Sequence, residues 1–133
     1  MLNWNVEPLK EVNGIKFGMK REKVRELLSI EAKEFKKSKF SKNTTDDFGV
    51  CHVFYNLEDK CEAVEIFKGI ETEIEVLIDG KIIFPVSLDV VKSYFKDLEK
   101  EDDSYISKTN SMGIYAPNEK MESILFGELG YYD

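Results

Sequence analysis

The chain has 133 residues, 42% of them hydrophobic and 34% charged, with a net charge of −7. That length suits a single domain able to bury its own core. No apolar run approaches the 18 residues of a membrane span, and the acidic balance argues against nucleic acid as the main partner.

Residues 1–7 carry neither a basic start nor an apolar run. No signal peptide is expected, and the location read from this is cytoplasmic, with no membrane partner. Val12-Asn13-Gly14-Ile15-Lys16-Phe17 predicts two short strands about an Asn-Gly turn. Met19 to Ile30 predicts a helix. Its apolar face would hold Met19, Val24, Leu27 and Leu28, with Arg21 and Arg25 elsewhere. Residues 31–40 fit an extended edge segment or a frayed helix, and 41–47 read as a loop. Val50 to Leu57 and Cys61 to Lys68 predict a hairpin turning at Glu58-Asp59-Lys60. Alternation groups Cys61, Ala63, Glu65 and Phe67 on one face of the second strand, against Glu62, Val64, Ile66 and Lys68. Residues 73–78 and 81–84 predict a second hairpin about Asp79-Gly80. Ser87 is a candidate N-cap for a helix from Leu88 to Lys100, striped by Leu88, Val91, Phe95 and Leu98. Glu99 to Asp103 reads as an acidic stop. Tyr105-Ile106, Met112 to Ala116 and Met121 to Phe126 predict three more strands, the last two joined by a turn at Pro117-Asn118-Glu119. An aromatic tail, Gly127 to Asp133, follows.

Chemistry-bearing residues are sparse. The only histidine, His52, follows Cys51, so on a strand the two point to opposite faces. In the hairpin register His52 falls roughly opposite Glu65, as a surface partner. Cys51 and Cys61 sit several residues apart in that register and read as small buried residues rather than a disulfide. One histidine and two cysteines make no zinc site. No phosphate-binding glycine loop or Gly-x-Ser-x-Gly is present, and Asp46-Asp47 and Asp102-Asp103 read as solvated pairs. The expectation is a non-enzymatic protein with no catalytic residue, metal or cofactor.

The chain also repeats itself. Val12-Asn13-Gly14 corresponds to Ile78-Asp79-Gly80. Val24, Leu27 and Leu28 correspond to Val91, Tyr94 and Phe95. Tyr55, Lys60, Glu62 and Val64 correspond to Tyr115, Lys120, Glu122 and Ile124. The expected fold is α+β: a duplicated unit of a helix and an antiparallel hairpin, with two helices packed on one face of an antiparallel sheet. The two pseudo-repeats would span about residues 10–70 and 76–133 of one domain, 1–133. The opposite sheet face is left open to bind something.

The segment Gly14-Ile15-Lys16-Phe17-Gly18-Met19-Lys20-Arg21-Glu22-Lys23-Val24-Arg25-Glu26-Leu27-Leu28 resembles the helix-opening pattern of the small outer-membrane assembly lipoproteins called SmpA/OmlA. The β-lactamase inhibitory proteins resemble a tandem form of that unit. This chain lacks the lipidated cysteine of the first family and the paired cysteines of the second. His52 to Glu65 and Gly113-Ile114-Tyr115-Ala116-Pro117 also resemble small bacterial proteins encoded beside polymorphic or contact-dependent toxins. That resemblance implies an immunity protein that binds and neutralises a cognate toxin.

Charge suits the same expectation. Residues 1–57 hold 11 Lys+Arg against 8 Asp+Glu, or +3, and residues 58–133 hold 8 against 18, or −10. An acidic surface fits a basic toxin domain. The candidate partner-binding residues are Glu71, Glu73 and Glu75, with Glu62 and Glu65 in support. The alternative is a small ligand-binding or housekeeping domain with a deep apolar pocket between helices and sheet.

Overall fold

In the computed structural model, residues 2–69 and 73–133 are described. The chain forms two sheets, mostly antiparallel, and two short helices. It is an α+β protein.

The smaller sheet has five strands in the order β3-β2-β1-β8-β9. They are β1 (Leu2–Glu7), β2 (Glu11–Val12), β3 (Ile15–Lys16), β8 (Ile74–Ile78) and β9 (Lys81–Phe84). Both predicted turns form here. Asn13 (φ 48°) and Gly14 (φ 90°) turn β2 into β3, and Asp79 (φ 51°) and Gly80 (φ 78°) turn β8 into β9. Positive φ at both central residues gives the turn whose twist matches that of the strands. Sequence reading missed β1. It runs parallel to β8, and its alternation buries Trp4 and Val6.

The larger sheet has eight strands in the order β10-β11-β12-β13-β7-β6-β5-β4. The first four in the chain are β4 (Lys33–Phe35), β5 (Thr45–Asp47), β6 (Cys51–Tyr55) and β7 (Cys61–Phe67). The others are β10 (Glu99–Glu101), β11 (Ser104–Ser107), β12 (Met112–Tyr115) and β13 (Ser123–Gly127). The β6–β7 register sets His52 opposite Glu65, as expected, and Cys51 opposite Ile66. Two expectations fail at the ends of this sheet. Residues 45–47 are a strand rather than a loop, and 99–101 are an edge strand rather than a stop.

Helix α1 spans Arg21–Leu28 and ends at Ser29 in the left-handed conformation. Its buried residues are Arg21 and Val24, whereas Leu27 is 48% exposed. The apolar face expected from the sequence is therefore rotated. Arg21 lies inside with most of its guanidinium partnered: Nη1 donates to Thr44 Oγ1 (2.9 Å), Nη2 donates to Thr44 O (2.7 Å), and the group rests over the Tyr55 ring, while the buried Nε stands 3.5 Å from Asp59 Oδ1 without a hydrogen bond. Helix α2 spans only Leu88–Tyr94. Beyond it, Asp97 accepts hydrogen bonds from Ser107 (2.8 Å) and Thr109 (2.7 Å), which ties the chain to β11 and carries it into β10. Phe95 and Leu98 still pack on the core, but not as helix.

One buried cluster joins the inward-facing residues of both sheets with Val24, Leu88 and Val91 of the helices. Cys51, Val53, Tyr55, Cys61, Val64, Ile66, Tyr105, Met112, Ile114, Ile124 and Phe126 are the large sheet's share. A register shift between Phe54 and Tyr55 lets both Cys61 and Val64 reach this side. That corrects the strict alternation that grouped Cys61 with Ala63.

Asp46, expected to be solvated, is fully buried on the same face. Arg25 grips it with two hydrogen bonds, Nε to Oδ2 (2.8 Å) and Nη2 to Oδ1 (2.7 Å), and Tyr55 Oη donates to Oδ2 (3.0 Å). Burial works to raise the Asp46 pKa, but the bonds from Arg25 and Tyr55 and the charges of Arg21 and Arg25 outweigh it and hold the carboxyl below its usual range. Glu34 closes the group on Arg25 Nη2 (2.7 Å). Asp102 and Asp103, by contrast, are exposed in the β10–β11 turn, as expected.

Candidate functional site

Cross-strand partners share a face, so the register defines the other side of the large sheet. One row runs Lys33, Asp47, His52, Glu65, Leu125, Gly113, Ile106, Glu99. A second runs Phe67, Ser123, Tyr115, Ser104, Glu101. A third runs Phe35, Thr45, Phe54, Ala63, Gly127.

The C-terminal tail lies across part of this face. Tyr131 and Tyr132 pack on a small cluster of Phe54, Ala63 and Leu125, with their rings edge to face at 5.2 Å. Two glycines make the seats. A Cβ at Gly127 would come within 2.6 Å of Tyr131 Cβ, and one at Gly113 would collide with the Tyr132 hydroxyl and Cζ (2.8 Å). The tail is fastened where Glu128 N–H donates to Glu62 O (2.9 Å) and Gly127 N–H to Ser111 O (2.8 Å).

The remainder of the face carries aromatic and acidic side chains, with Lys33 at its β4 edge and Lys37 over the Phe54 ring at 4.6 Å. Phe35 and His52 meet edge to face at 5.0 Å, and His52 and Phe67 at 4.5 Å. Tyr115 is 46% exposed. His52 Nε2 stands 3.5 Å from Asp47 Oδ1. Ser123 Oγ donates to Glu65 Oε2 at 2.8 Å. Glu62 is half-buried beside Tyr131; burial, and then the charge of Glu128, push its pKa up, with Lys37 opposing.

The candidate glutamates divide between two surfaces. Glu65 lies on the open face of the large sheet opposite His52, whereas Glu62 falls at the β6–β7 irregularity and lines a hollow with Lys37, Phe54 and Tyr131. Glu75 is half-buried on β8 of the small sheet, opposite Asn3, and Glu73 is exposed just before it. Glu71 lies outside the described residues. Ile74 and Val76 are buried as the alternation predicted. Sequence reading missed Phe35 and Phe67 as part of this face: Phe35 lay in a segment with no clear period, and Phe67 and Tyr115 are related only through the register of β13.

Cys51 is buried on the core side while His52 is on the other. Burial pushes the Cys51 and Cys61 thiols up to about 12, so neither is poised as a thiolate. Among the described residues no group of three or more His, Cys, Asp or Glu could hold a metal. A cleft of about 720 Å³ beside the start of α2 is lined by Pro85, Val86, Leu88 and Met121 on one hand and by Lys68, Lys92, Lys120, Asp89 and Glu119 on the other. Among the described residues no helix is long and apolar enough to cross a membrane. No family model, curated protein or solved structure matches the chain.

Proposed function

We propose that this chain is a non-enzymatic protein-binding domain that neutralises a basic partner, as an immunity protein does with a cognate bacterial toxin. The observation that carries the reading is the two-sidedness of the large sheet. One face is closed in the core. The other presents Phe35, Phe67 and Tyr115 among Asp47, Glu65, Glu99 and Glu101, with Glu62 beside Tyr131, so that carboxylates outnumber the Lys33 of its edge. Aromatic side chains supply binding energy at interface centres. Carboxylates around them speed and orient the approach of a cationic protein. The same charge disfavours nucleic acid and anionic lipid surfaces.

Duplication accounts for that shape. The Asn13-Gly14 turn, α1 and β4–β7 follow in the same order as the Asp79-Gly80 turn, α2 and β10–β13. Read outward from the β7–β13 pair, the sheet order is the same on both sides. At its centre Glu65 faces Leu125, 60 residues on, which is the offset relating Glu62 and Val64 to Glu122 and Ile124. Two units joined this way would lay both helices on one face and give the other to the partner. A cytoplasmic setting fits two free cysteines.

Coexpression with the reading frames beside its gene is the test. Co-purification of a basic product and relief of its toxicity are expected. If nothing co-purifies and no toxicity is relieved, the reading fails.

A further inference from the structure

The aromatic ladder on the open face has one gap. Phe35, His52 and Phe67 step across the sheet in edge-to-face contact. The next position in the register after Phe67 is Ser123, and the one after that is Tyr115. Phe67 and Tyr115 therefore stand two strands apart, about 10 Å at ordinary interstrand spacing. Ser123, fully buried between them, is the floor. His52 buttresses Phe67 from the far side.

Beside the gap lies Glu65. Its Oε2 accepts from Ser123, and among the described residues no lysine or arginine pairs with it. The space in front is a cavity of about 540 Å³ whose rim includes Lys68 and Glu122. With one lysine and two glutamates, Glu65 and Glu122, the lining carries a net negative charge, and the backbones of Lys68 and Glu122 are joined by the Lys68 main-chain N–H donating to the Glu122 carbonyl at 3.0 Å.

The geometry points to a slot for one arginine side chain of the partner, its guanidinium stacked between Phe67 and Tyr115 and donating to Glu65. A flat group in contact with a ring on each side needs about 7–8 Å between them, at roughly 3.5–4 Å per contact. Two strand spacings, about 10 Å between the Phe67 and Tyr115 backbones, leave room for such a group. Arginine suits the slot better than lysine because its plane stacks while its edge forks onto a carboxylate. The inference rests on the protein-binding reading and names the partner's chemistry at one point of the face.

The test is an NMR titration of the full chain with N-acetyl-arginine amide, with N-acetyl-citrulline amide as the neutral isostere. Saturable shifts are expected at Phe67, Tyr115 and Ser123, with a dissociation constant of about 10 mM and binding roughly tenfold weaker for citrulline. Glu65→Gln keeps an acceptor for Ser123, and Tyr115→Ala truncates a half-exposed ring, so both should fold. Each should weaken arginine binding about fivefold. Absence of saturable shifts, equal response to citrulline, or unchanged binding in both variants would overturn the assignment. The titration uses no protein partner, so its failure removes the slot alone, and the coexpression result still decides the wider reading.

Discussion

Asp46→Asn tests the polar group beneath the large sheet. Asp46 is 0% exposed and accepts two bonds from Arg25 and one from Tyr55. The amide keeps the shape, loses the charge, and sets an NH₂ against at least one donor. Breaking a buried ion pair from one side costs about 3–5 kcal/mol. Arg25 is 37% exposed and keeps Glu34, which argues for the low end. The Tyr55 hydroxyl is buried and has no other bond, and leaving it unpaired adds about 1 kcal/mol. The expected loss is about 3–4 kcal/mol by urea unfolding at pH 7, read as a midpoint shift at constant m. The pH dependence has a definite sign. The folded carboxyl lies below its unfolded value of 3.8, so its stabilisation is present above that value and is lost as pH falls through the folded one. Wild type and variant should therefore converge in acid. A loss below about 1 kcal/mol at pH 7 would refute the argument, since that is the scale of a surface pair such as Lys10–Glu7.

Three further outcomes follow from the tail, the glutamates and the thiols. Gly113→Ala should drive Tyr132 from its seat, cost about 1 kcal/mol of apolar burial, and expose the bond after Tyr131 to chymotrypsin; unchanged cleavage would mean that the ring slides aside. The Glu62 pKa is raised in the folded state, so the carboxyl favours folding fully only below its unfolded value of 4.5 and loses that as pH rises through the folded one. Glu62→Gln should thus match wild type near pH 4 and melt higher at pH 7, and equal melting at both pH values would contradict the burial assigned to it. Neither Cys51 nor Cys61 should react with Ellman's reagent at pH 8 until the chain unfolds, because burial pushes both thiols up to about 12; fast labelling of folded protein would show an open route to the core.

How much of this could be read from the residues depends on how local each cause is. Asn13-Gly14 and Asp79-Gly80 carry their turn chemistry in two residues, so both hairpins were legible, and so was the pairing of His52 with Glu65 across a short turn. Strand β1 was not, because its parallel partner β8 lies far along the chain, and β5 and β10 were not, because three polar residues show no period and become strands only when the adjoining strand offers its edge. Arg21 looked like a surface residue because its partners, Thr44 and Tyr55, come from other elements. Matching Tyr55 to Tyr115 pairs a buried ring with an exposed one. The β6 irregularity between Phe54 and Tyr55 shifts the phase there, and a period count cannot see it. The aromatic ladder draws on β4, β6, β7 and β12, so it emerges only from the assembled sheet.

The most direct measurement is a hydroxyl-radical footprint of the chain alone and in complex with the partner recovered by coexpression. Phe35, Phe67 and Tyr115 should become protected, while Tyr94, 43% exposed at the end of α2, should label as before. Protection of Tyr94 or Leu27 with Tyr115 left reactive would put the partner on another surface and contradict the account.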